Sequence, residues 1–185
     1  MSKFITGVGR CSYLNINQPR AMEDGQKPKY SVSFIIPKSD TKTINGIKAA
    51  IKTAYEEGAG TLRGSGKSVP ALDSIKNPLR DGDTERPDDP AYANSYFINA
   101  SSLTQPGVVD VNCQTIIDPS ELYSGIYGRI SVNFYAYNKN GNRGVACGLN
   151  NLQKVKDGEP LGGVSRAEDD FNDGFKPEPE EDFLD

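Results

Sequence analysis

Histidine is absent from this chain of 185 residues. The chain therefore lacks the commonest general acid–base catalyst and metal ligand, and it cannot form a Ser-His-Asp or Cys-His nucleophilic site. Carboxylates could still bind magnesium, but the acids of the first 166 residues are scattered outside the stretch 81–89, whose Gly and Pro residues predict a loop. We predict that the protein is not an enzyme and has no catalytic residues, no metal site and no cofactor.

Cysteine is scarce: Cys11, Cys113 and Cys147 are widely spaced, odd in number and form no Cys-x-x-Cys pair. This pattern predicts neither a disulfide framework nor a thiolate metal site, and it favours a reducing cytoplasm. No apolar run approaches the roughly 18 to 20 residues that a membrane span needs, and the N-terminus has no basic and apolar leader. We expect a soluble cytoplasmic protein without a membrane partner.

Charge is divided unevenly along the chain. The whole chain has a formal charge of -4, but residues 167–185 contain nine acids and one base, so residues 1–166 carry +4. Residues 1–166 have the usual size of one domain. A basic domain with an acidic tail is typical of nucleic-acid-binding proteins, because the tail can compete with phosphates for the cationic surface. A merely solvating, disordered terminus is the plainer alternative.

The acidic tail contains three phenylalanines, although disordered segments are normally poor in aromatic residues. Pro177 and Pro179 favour an extended segment, in which a partner could bind the rings while the acids steer its approach. The predicted partner-binding residues of the tail are Asp169, Asp170, Phe171, Phe175, Glu181, Asp182 and Phe183.

Hydrophobic periodicity predicts a mainly β domain with one helix. The helix is expected after Ser39 or Asp40 as cap and before Gly58, and Asn140-Gly141 predicts a type I′ hairpin. Strands are expected at 4–16, 30–36, 92–99, 108–113, 129–138 and 143–155.

Residues 58–90 are rich in Gly and Pro and are expected to form a long functional loop. At least five strands and one helix indicate an OB-fold-like, five-stranded small barrel with long loops. The second and third strands of that fold, together with its loops, bind oligonucleotides.

The strand expected at 129–138 has two unlike faces. Ile130, Val132, Phe134 and Ala136 share the parity of a core face. The other face is polar and aromatic, and such a face can stack on single-stranded bases and pair with phosphates. Its members are Arg129, Ser131, Asn133, Tyr135 and Tyr137.

Phe97 is a third candidate stacking platform, because its parity is opposite to that of Tyr96 and Ile98. The alternative for all these aromatic residues is that a second packed layer buries both faces of the sheet, which would make them core residues.

The segment Gly64-Ser65-Gly66-Lys67-Ser68 is similar to the end of a P-loop. A P-loop would require glycine at position 61, where the chain has Thr61, and no strand precedes the segment, so a nucleotide triphosphatase is disfavoured. We predict instead that Arg63 and Lys67 contact DNA phosphates from a flexible glycine-rich loop.

Several runs of the sequence resemble phage-encoded single-stranded DNA-binding proteins. The resemblance rests on 123–129, 131–137, 139–144 and 148–155, with Pro37-Lys38, 78–83 and Asp169-Asp170-Phe171. It implies an OB-fold core that coats single strands during phage DNA replication, recombination or repair. It also implies a tail that regulates DNA access and recruits phage or host replication and recombination proteins. Relatives often end on an aromatic residue, whereas Leu184 and Asp185 follow Phe183 here.

We therefore predict a protein that binds single-stranded DNA largely independently of sequence, with self-association left open. The alternative is a protein-interaction adaptor whose acidic tail binds a basic partner. The predicted DNA-binding residues are Arg10, Lys27, Lys29, Arg63, Lys67, Phe97, Arg129, Tyr135, Tyr137, Lys139 and Arg143.

Overall fold

The computed structural model describes residues 2–161 and 171–177. The strands are β1 (Ser2–Ile5), β2 (Gly9–Arg20), β3 (Lys29–Pro37), β4 (Leu79–Asp81), β5 (Ser95–Ser102), β6 (Gly107–Val109), β7 (Tyr127–Lys139) and β8 (Asn142–Lys156). The helices are α1 (Thr41–Glu57), α2 (Ala59–Arg63) and α3 (Gly82–Glu85), with 3₁₀ turns at Leu72–Ser74, Pro90–Tyr92 and Pro119–Glu121. None of the helices in these two ranges is long and apolar enough to cross a membrane.

Five strands close into a barrel. β2 pairs with β3, β3 with β5, β5 with β8, β8 with β7, and β7 returns to β2. All of these pairings are antiparallel except β5 with β8. The short strands β1, β4 and β6 extend the sheet at β7, β5 and β8. The OB-fold-like barrel predicted from periodicity is confirmed, and the three short strands are added to its edges.

Helix α1 is amphipathic and packs its apolar face against the barrel. Asp40 is its N-cap, and the Asp40 carboxylate accepts a hydrogen bond of 3.2 Å from the Thr43 backbone N–H. Ile44, Ile47 and Ile51 are buried against the sheet, and each such burial stabilises the fold by about 1.5–3 kcal/mol. The Gly58 N–H donates to the Ala54 carbonyl at the helix end, so the predicted helix is confirmed at both boundaries.

The β7–β8 hairpin turns at Asn140 and Gly141. Their φ angles are 52° and 85°, and Lys139 pairs with Asn142 across the turn. Two positive φ angles are what a type I′ turn requires, and Gly adopts the second at no steric cost. The predicted hairpin is confirmed.

The segment 58–90 is not the long loop predicted from its composition. It contains α2, a 3₁₀ turn, β4 and α3, each of three to five residues. β4 pairs with β5 through Leu79 opposite Ile98, so backbone hydrogen bonds fix the segment on the barrel. Elements this short leave no periodic signal, which is why the sequence did not reveal them.

Three predicted strands differ from the observed strands by more than two residues at one or both ends. The first divides around Thr6 into β1 and β2, and the strand expected at 92–99 starts only at Ser95 because Pro90–Tyr92 form a 3₁₀ turn. The strand expected at 108–113 ends at Val109. The Asp110 carboxylate accepts hydrogen bonds from the backbone N–H groups of Asn112 and Gln114 there and closes a turn.

Candidate nucleic-acid interface

The outer face of β7 carries the two tyrosines that the alternation predicted. Phe134 is fully buried in the main core, whereas Tyr135 is 40% exposed and Tyr137 is half-buried. Ile130 and Val132 are buried with Phe134. The predicted parity of this strand is confirmed, and two aromatic rings lie on the outside of the barrel.

Small residues of β8 lie opposite these rings. Tyr135 pairs with Ala146 and Tyr137 with Gly144, and a Cβ at Gly148 would lie 3.5 Å from Tyr135 Cε1. Because no bulky side chain of β8 covers this face, the tyrosine rings remain open to a ligand.

The two tyrosines line a groove of about 720 Å³ between the β7–β8 hairpin, β5 and the β4 segment. Lys29, Lys76 and Arg80 contribute positive charge to its walls, and Asn99 and Ser101 form part of its floor on β5. The combination of aromatic rings with cations is the one that suits single-stranded nucleic acid.

Two carboxylates also line the groove, but both are paired with cations. Glu85 Oε1 lies 3.0 Å from Arg80 Nε, and Asp81 Oδ1 lies 3.0 Å from Lys38 Nζ. Within residues 2–161 and 171–177, no carboxylate lies within salt-bridge distance of Lys29 or Lys76. These two lysines are therefore available to an anionic ligand.

Lys76 is held at the groove by its backbone. Its N–H donates to the Arg143 carbonyl at 3.1 Å, and its carbonyl accepts from the Val145 N–H at 3.0 Å. These bonds form an isolated parallel bridge between Lys76 and Gly144, at the edge of β8 that is not paired with β7. The bridge brings a cation from the 58–90 segment beside Tyr137.

A second cleft of about 410 Å³ continues from the groove across β5, β3 and β2. It shares Asn99 and Ser101 with the groove, and its walls include Tyr13, Arg20 and Arg86. None of the described residues that line it is acidic. The groove and the cleft thus form one continuous surface along the outside of the barrel.

Residues 79–92, called the strap below, form one wall of both depressions and are held by Lys38 at the end of β3. Lys38 Nζ lies 2.7 Å from Asp83 Oδ2 and 3.0 Å from Asp81 Oδ1. The hydrogen bonds with Asp83 and Asp81 raise the pKa of Lys38, and the bond from Lys38 is the main cause that lowers the pKa of Asp83. The strap carries Arg80 and Arg86 to the surface.

The prediction of Phe97 as a stacking platform is wrong. Its parity is the predicted one, but its side chain is only 1% exposed because the strap covers it. Tyr92 packs edge-on against Phe97 with ring centres 5.0 Å apart, and Ile35 completes this small second core. The alternative that an outer layer buries such aromatics applies to this residue.

Arg10 and Arg129 are not brought to the groove. Arg10 donates to the carbonyls of Glu159 at 2.7 Å and Gly125 at 3.3 Å, so it anchors the segment that follows β8. Arg129 donates to the Thr6 carbonyl at 3.1 Å, and it lies six residues from Tyr135 on the same strand, roughly 20 Å away. Both side chains make structural contacts that a charge pattern cannot reveal.

The other predicted cations are solvent-exposed or half-buried and surround the site at different distances. Lys29 lines the groove, and Lys27 lies in the loop between β2 and β3, two residues before Lys29. Arg143 lines a neighbouring hollow together with Lys76. Lys139 is exposed beside the hairpin turn.

Arg63 and Lys67 are exposed but do not line the groove. Arg63 ends α2, and Asn138 Nδ2 donates to the Thr61 carbonyl of this helix at 3.1 Å. Asn138 has the parity of Phe134, so α2 packs on the face of β7 opposite Tyr137.

Sequence reasoning missed part of the site. Arg80 lies in a strand of three residues, and Lys76 and Arg86 lie outside the helices and strands. Tyr13 lies at an irregularity of β2, so no spacing pattern could identify these four residues. The polar residues of the β5 floor could have been found, because Asn99 and Ser101 alternate with buried Ile98 and Ala100.

Most of the predicted tail site lies outside the described residues: Asp169, Asp170, Glu181, Asp182 and Phe183. Phe171 and Phe175 are described, and both rings are exposed. In the described part of the chain, no group of three or more Cys, Asp or Glu residues is placed to hold a metal ion.

An OB-fold-like barrel with tyrosines and cations on its outer face is typical of proteins that bind single strands. The family described as "Enterobacter phage Enc34, ssDNA-binding protein" matches residues 2–184 of this chain. The chain belongs to this family of phage single-stranded DNA-binding proteins, as the resemblance in its sequence implied.

Individual relatives agree with this assignment. "Putative protein p50" of Acyrthosiphon pisum secondary endosymbiont phage 1 is 34% identical over 181 residues, which are 93% of this chain and 94% of that protein. The structure of the single-stranded DNA-binding protein from bacteriophage Enc34 in complex with ssDNA is similar with a TM-score of 0.70 and 26% identity, covering 87% of this chain and 90% of that chain. The single-stranded DNA-binding protein gp2.5 of bacteriophage T7 shares the fold with a TM-score of 0.59 and 16% identity over 96% of both chains.

Proposed function

We propose that this protein binds single-stranded DNA with little sequence preference and has no enzymatic activity. The observation that carries the proposal is the pair Tyr135 and Tyr137, which share the outer face of β7 and line a groove with Lys29 and Lys76. Stacking on aromatic rings tolerates any base and contributes about 1 to 3 kcal/mol per base, while lysines neutralise phosphates. The complex of the Enc34 relative with ssDNA supports the same assignment.

The phosphates are proposed to follow the cations of the groove walls, with Arg143, Lys139 and Lys27 at its ends. Arg63 and Lys67 would contact only a longer strand, because α2 lies behind the hairpin. Arg10 and Arg129 are proposed to contribute through the general positive field of the domain, since their guanidinium groups hydrogen-bond to the protein.

The acidic tail is proposed to compete with DNA for this surface and to present its phenylalanines to a protein partner. Residues 167–185 carry a formal charge of -8 against +4 for the remainder, so an electrostatic competition within the chain is expected at low salt. The exposure of Phe171 and Phe175 supports recruitment of replication or recombination proteins of the phage or its host. The biological role would be to coat single strands during phage DNA replication, recombination or repair in the host cytoplasm.

A salt-titrated binding experiment tests this function. Fluorescence anisotropy of the full chain should show binding to single-stranded oligonucleotides of mixed sequence at low salt, with affinity that falls linearly in log–log form as salt rises. Duplex DNA and RNA of the same length serve as comparison ligands. Absence of binding to every single-stranded oligonucleotide at low salt would contradict the proposal and favour the adaptor alternative.

A further inference from the structure

Tyr13 lies on β2 with a backbone conformation that is unusual for an aromatic residue. Its φ is 45°, in the left-handed region, and the pairing register of β2 with β3 shifts between Ser12 and Asn15. A bulky residue in this region is strained, and such strain persists only where surrounding structure enforces it. Leu14 is fixed on the far side of the irregularity by a hydrogen bond of its N–H to Ser124 Oγ at 2.9 Å.

The irregularity changes which way the side chain of residue 13 faces. Cys11 and Ile16 are both in the core, at 0% and 2% exposure, although five residues apart they would face opposite sides of a regular strand. Without the extra residue, Tyr13 would have the core parity of Cys11. It is instead 53% exposed and lines the outer cleft. Bulges that redirect a side chain in this way are frequent beside binding sites.

Arg86 of the strap lies against this ring. Its guanidinium carbon is 5.2 Å from the ring centre of Tyr13, 5.1 Å from that of Tyr92 and 5.4 Å from that of Phe97. Tyr92 and Phe97 are buried, so Arg86 is held on a rigid aromatic base. Among the described residues, no carboxylate pairs with Arg86, which leaves its charge available to an anion.

Hydrogen-bonding groups surround the pair. Asn99 and Ser101 form the floor of the cleft, and Arg20 forms part of its wall. In the part of the chain that the structure describes, the side chains of these three residues make no hydrogen bond to another residue. A flat ring, a cation and free polar groups in one cleft match the face, the phosphate and the edge of a nucleotide.

We infer that Tyr13 and Arg86 form a second nucleotide-binding subsite, in which a base stacks on the exposed face of the Tyr13 ring and its phosphate pairs with Arg86. The inference rests on the proposed function and deepens it. Ser33 of β3 pairs with Asn99 of β5, and Ala146 of β8 pairs with Tyr135 of β7. The route from β2 to β7 therefore crosses four strand spacings, roughly 19 Å. A single strand long enough to cross this face would engage both subsites, whereas a very short one would engage one.

The subsite predicts how affinity depends on the length of the DNA. Oligothymidylates of about 4 and about 12 nucleotides bracket much of the known range of OB-fold site sizes. Tyr13→Ala should lower the affinity for the longer ligand roughly 5- to 100-fold, and it should remove most of the gain in affinity between the two lengths. Tyr13→Phe retains the ring and should bind as the natural protein does. Arg86→Met, which retains an apolar stem, should weaken binding and lower the salt dependence.

Photocrosslinking locates the contact directly. An oligonucleotide containing 5-iododeoxyuridine, irradiated with the full chain, should crosslink to Tyr13 as well as to Tyr135 or Tyr137 on peptide mapping. Thermal melts identify any variant that fails to fold. If Tyr13→Ala fails to fold, crosslinking to the natural protein and to Tyr13→Phe still shows whether DNA lies at position 13. If the natural protein binds DNA but Tyr13→Ala binds both lengths unchanged and no crosslink forms at position 13, the subsite is excluded while the proposed function stands. If the natural protein binds no single-stranded DNA, the proposed function fails and the subsite with it.

Discussion

Lys38 at the end of β3 lies 2.7 Å from the carboxylate of Asp83 in the strap. The two residues are 45 positions apart, and they come from two of the motifs that resemble the phage proteins, Pro37-Lys38 and 78–83. Asp83 also accepts a hydrogen bond of 2.8 Å from the Asn94 backbone N–H, so its two carboxylate oxygens link the strap to the residue that follows β3 and to the residue that precedes β5. This contact positions Arg80 and Arg86 at the interface.

Replacement of Lys38 by Met should loosen the strap without unfolding the barrel. The substitution removes the ammonium group, which contacts two carboxylates and lies 5.3 Å from the Tyr96 ring centre, but it retains an apolar stem. Trypsin should therefore cleave faster after Arg80, and DNA affinity should fall; the bond after Arg86 is not a trypsin site because Pro87 follows it. Lys48→Met is the matched control, because Lys48 also lies over the Tyr96 ring, at 5.9 Å. Equal cleavage rates in both variants would show that the contact does not hold the strap.

The same contact should depend on pH at both extremes. The pKa of Asp83 is lowered from 3.8, so its stabilising contribution is present above that pH and is lost as the pH falls through the lowered value. The pKa of Lys38 is raised from 10.5, so its contribution is present below that pH and is lost as the pH rises through the raised value. The difference in melting temperature between the natural protein and Lys38→Met should therefore be present at neutral pH and vanish in strong acid. If the difference in melting temperature persists in strong acid, it arises from an interaction other than the contact of Lys38 with Asp83.

Gly144 is expected to tolerate no larger residue. A Cβ there would lie 2.7 Å from Lys76 Cβ, 2.8 Å from the Lys76 carbonyl oxygen and 2.9 Å from the Tyr137 hydroxyl. Gly144→Ala should displace the Lys76 bridge, cost about 1–3 kcal/mol of stability and weaken DNA binding. Gly148→Ala is the control, since its nearest neighbour would be at 3.5 Å. Chemical denaturation and anisotropy of both variants decide the matter, and equal behaviour of the two would contradict the expected clash.

The sequence was informative wherever local rules determine the structure. Asp40 as a cap and Asn140-Gly141 as a turn depend on neighbouring backbone alone, and both were predicted correctly. The faces of β7 were also predictable, because buried residues alternate with less buried ones along this strand from Gly128 to Tyr135.

The remaining features depend on contacts between distant segments. Phe97 has the parity of an exposed residue, but a strap that starts at Leu79 covers it with Tyr92. Tyr13 has the parity of the core residue Cys11, but a bulge between Ser12 and Asn15 redirects it outward. Neither the strap nor the bulge leaves a periodic signal in the sequence. For this reason Phe97 was predicted to be outside although it is buried, and Tyr13 was not predicted at the site although it is exposed.

Removal of residues 167–185 should raise DNA affinity. A chain that ends at Arg166 has a formal charge of +4 instead of -4, so an internal competitor is lost and repulsion of the DNA falls. The gain should be largest at low ionic strength and small near physiological salt, where the screening length is about 8 Å. Duplex DNA is also expected to bind the truncated chain more tightly.

A full-length variant separates charge from the phenylalanines of the tail. Replacement of the nine acids of 167–185 by the corresponding amides retains every ring. If charge causes the competition, this variant should bind DNA as the truncated chain does. Unchanged affinity of both proteins at the lowest salt would exclude competition by the tail.

The most direct test of the interface is the affinity of Tyr135→Ala/Tyr137→Ala for single-stranded DNA, measured beside its stability. The double variant should bind more weakly, by about 1 to 3 kcal/mol for each lost stack, with a nearly unchanged melting temperature, because both rings lie outside the main core. Phe134→Ala is the control for burial, and it should cost about 3 to 5 kcal/mol of stability because its ring is fully buried. Undiminished affinity of the double variant, at a stability equal to that of the natural protein, would contradict the proposed role of the two tyrosines.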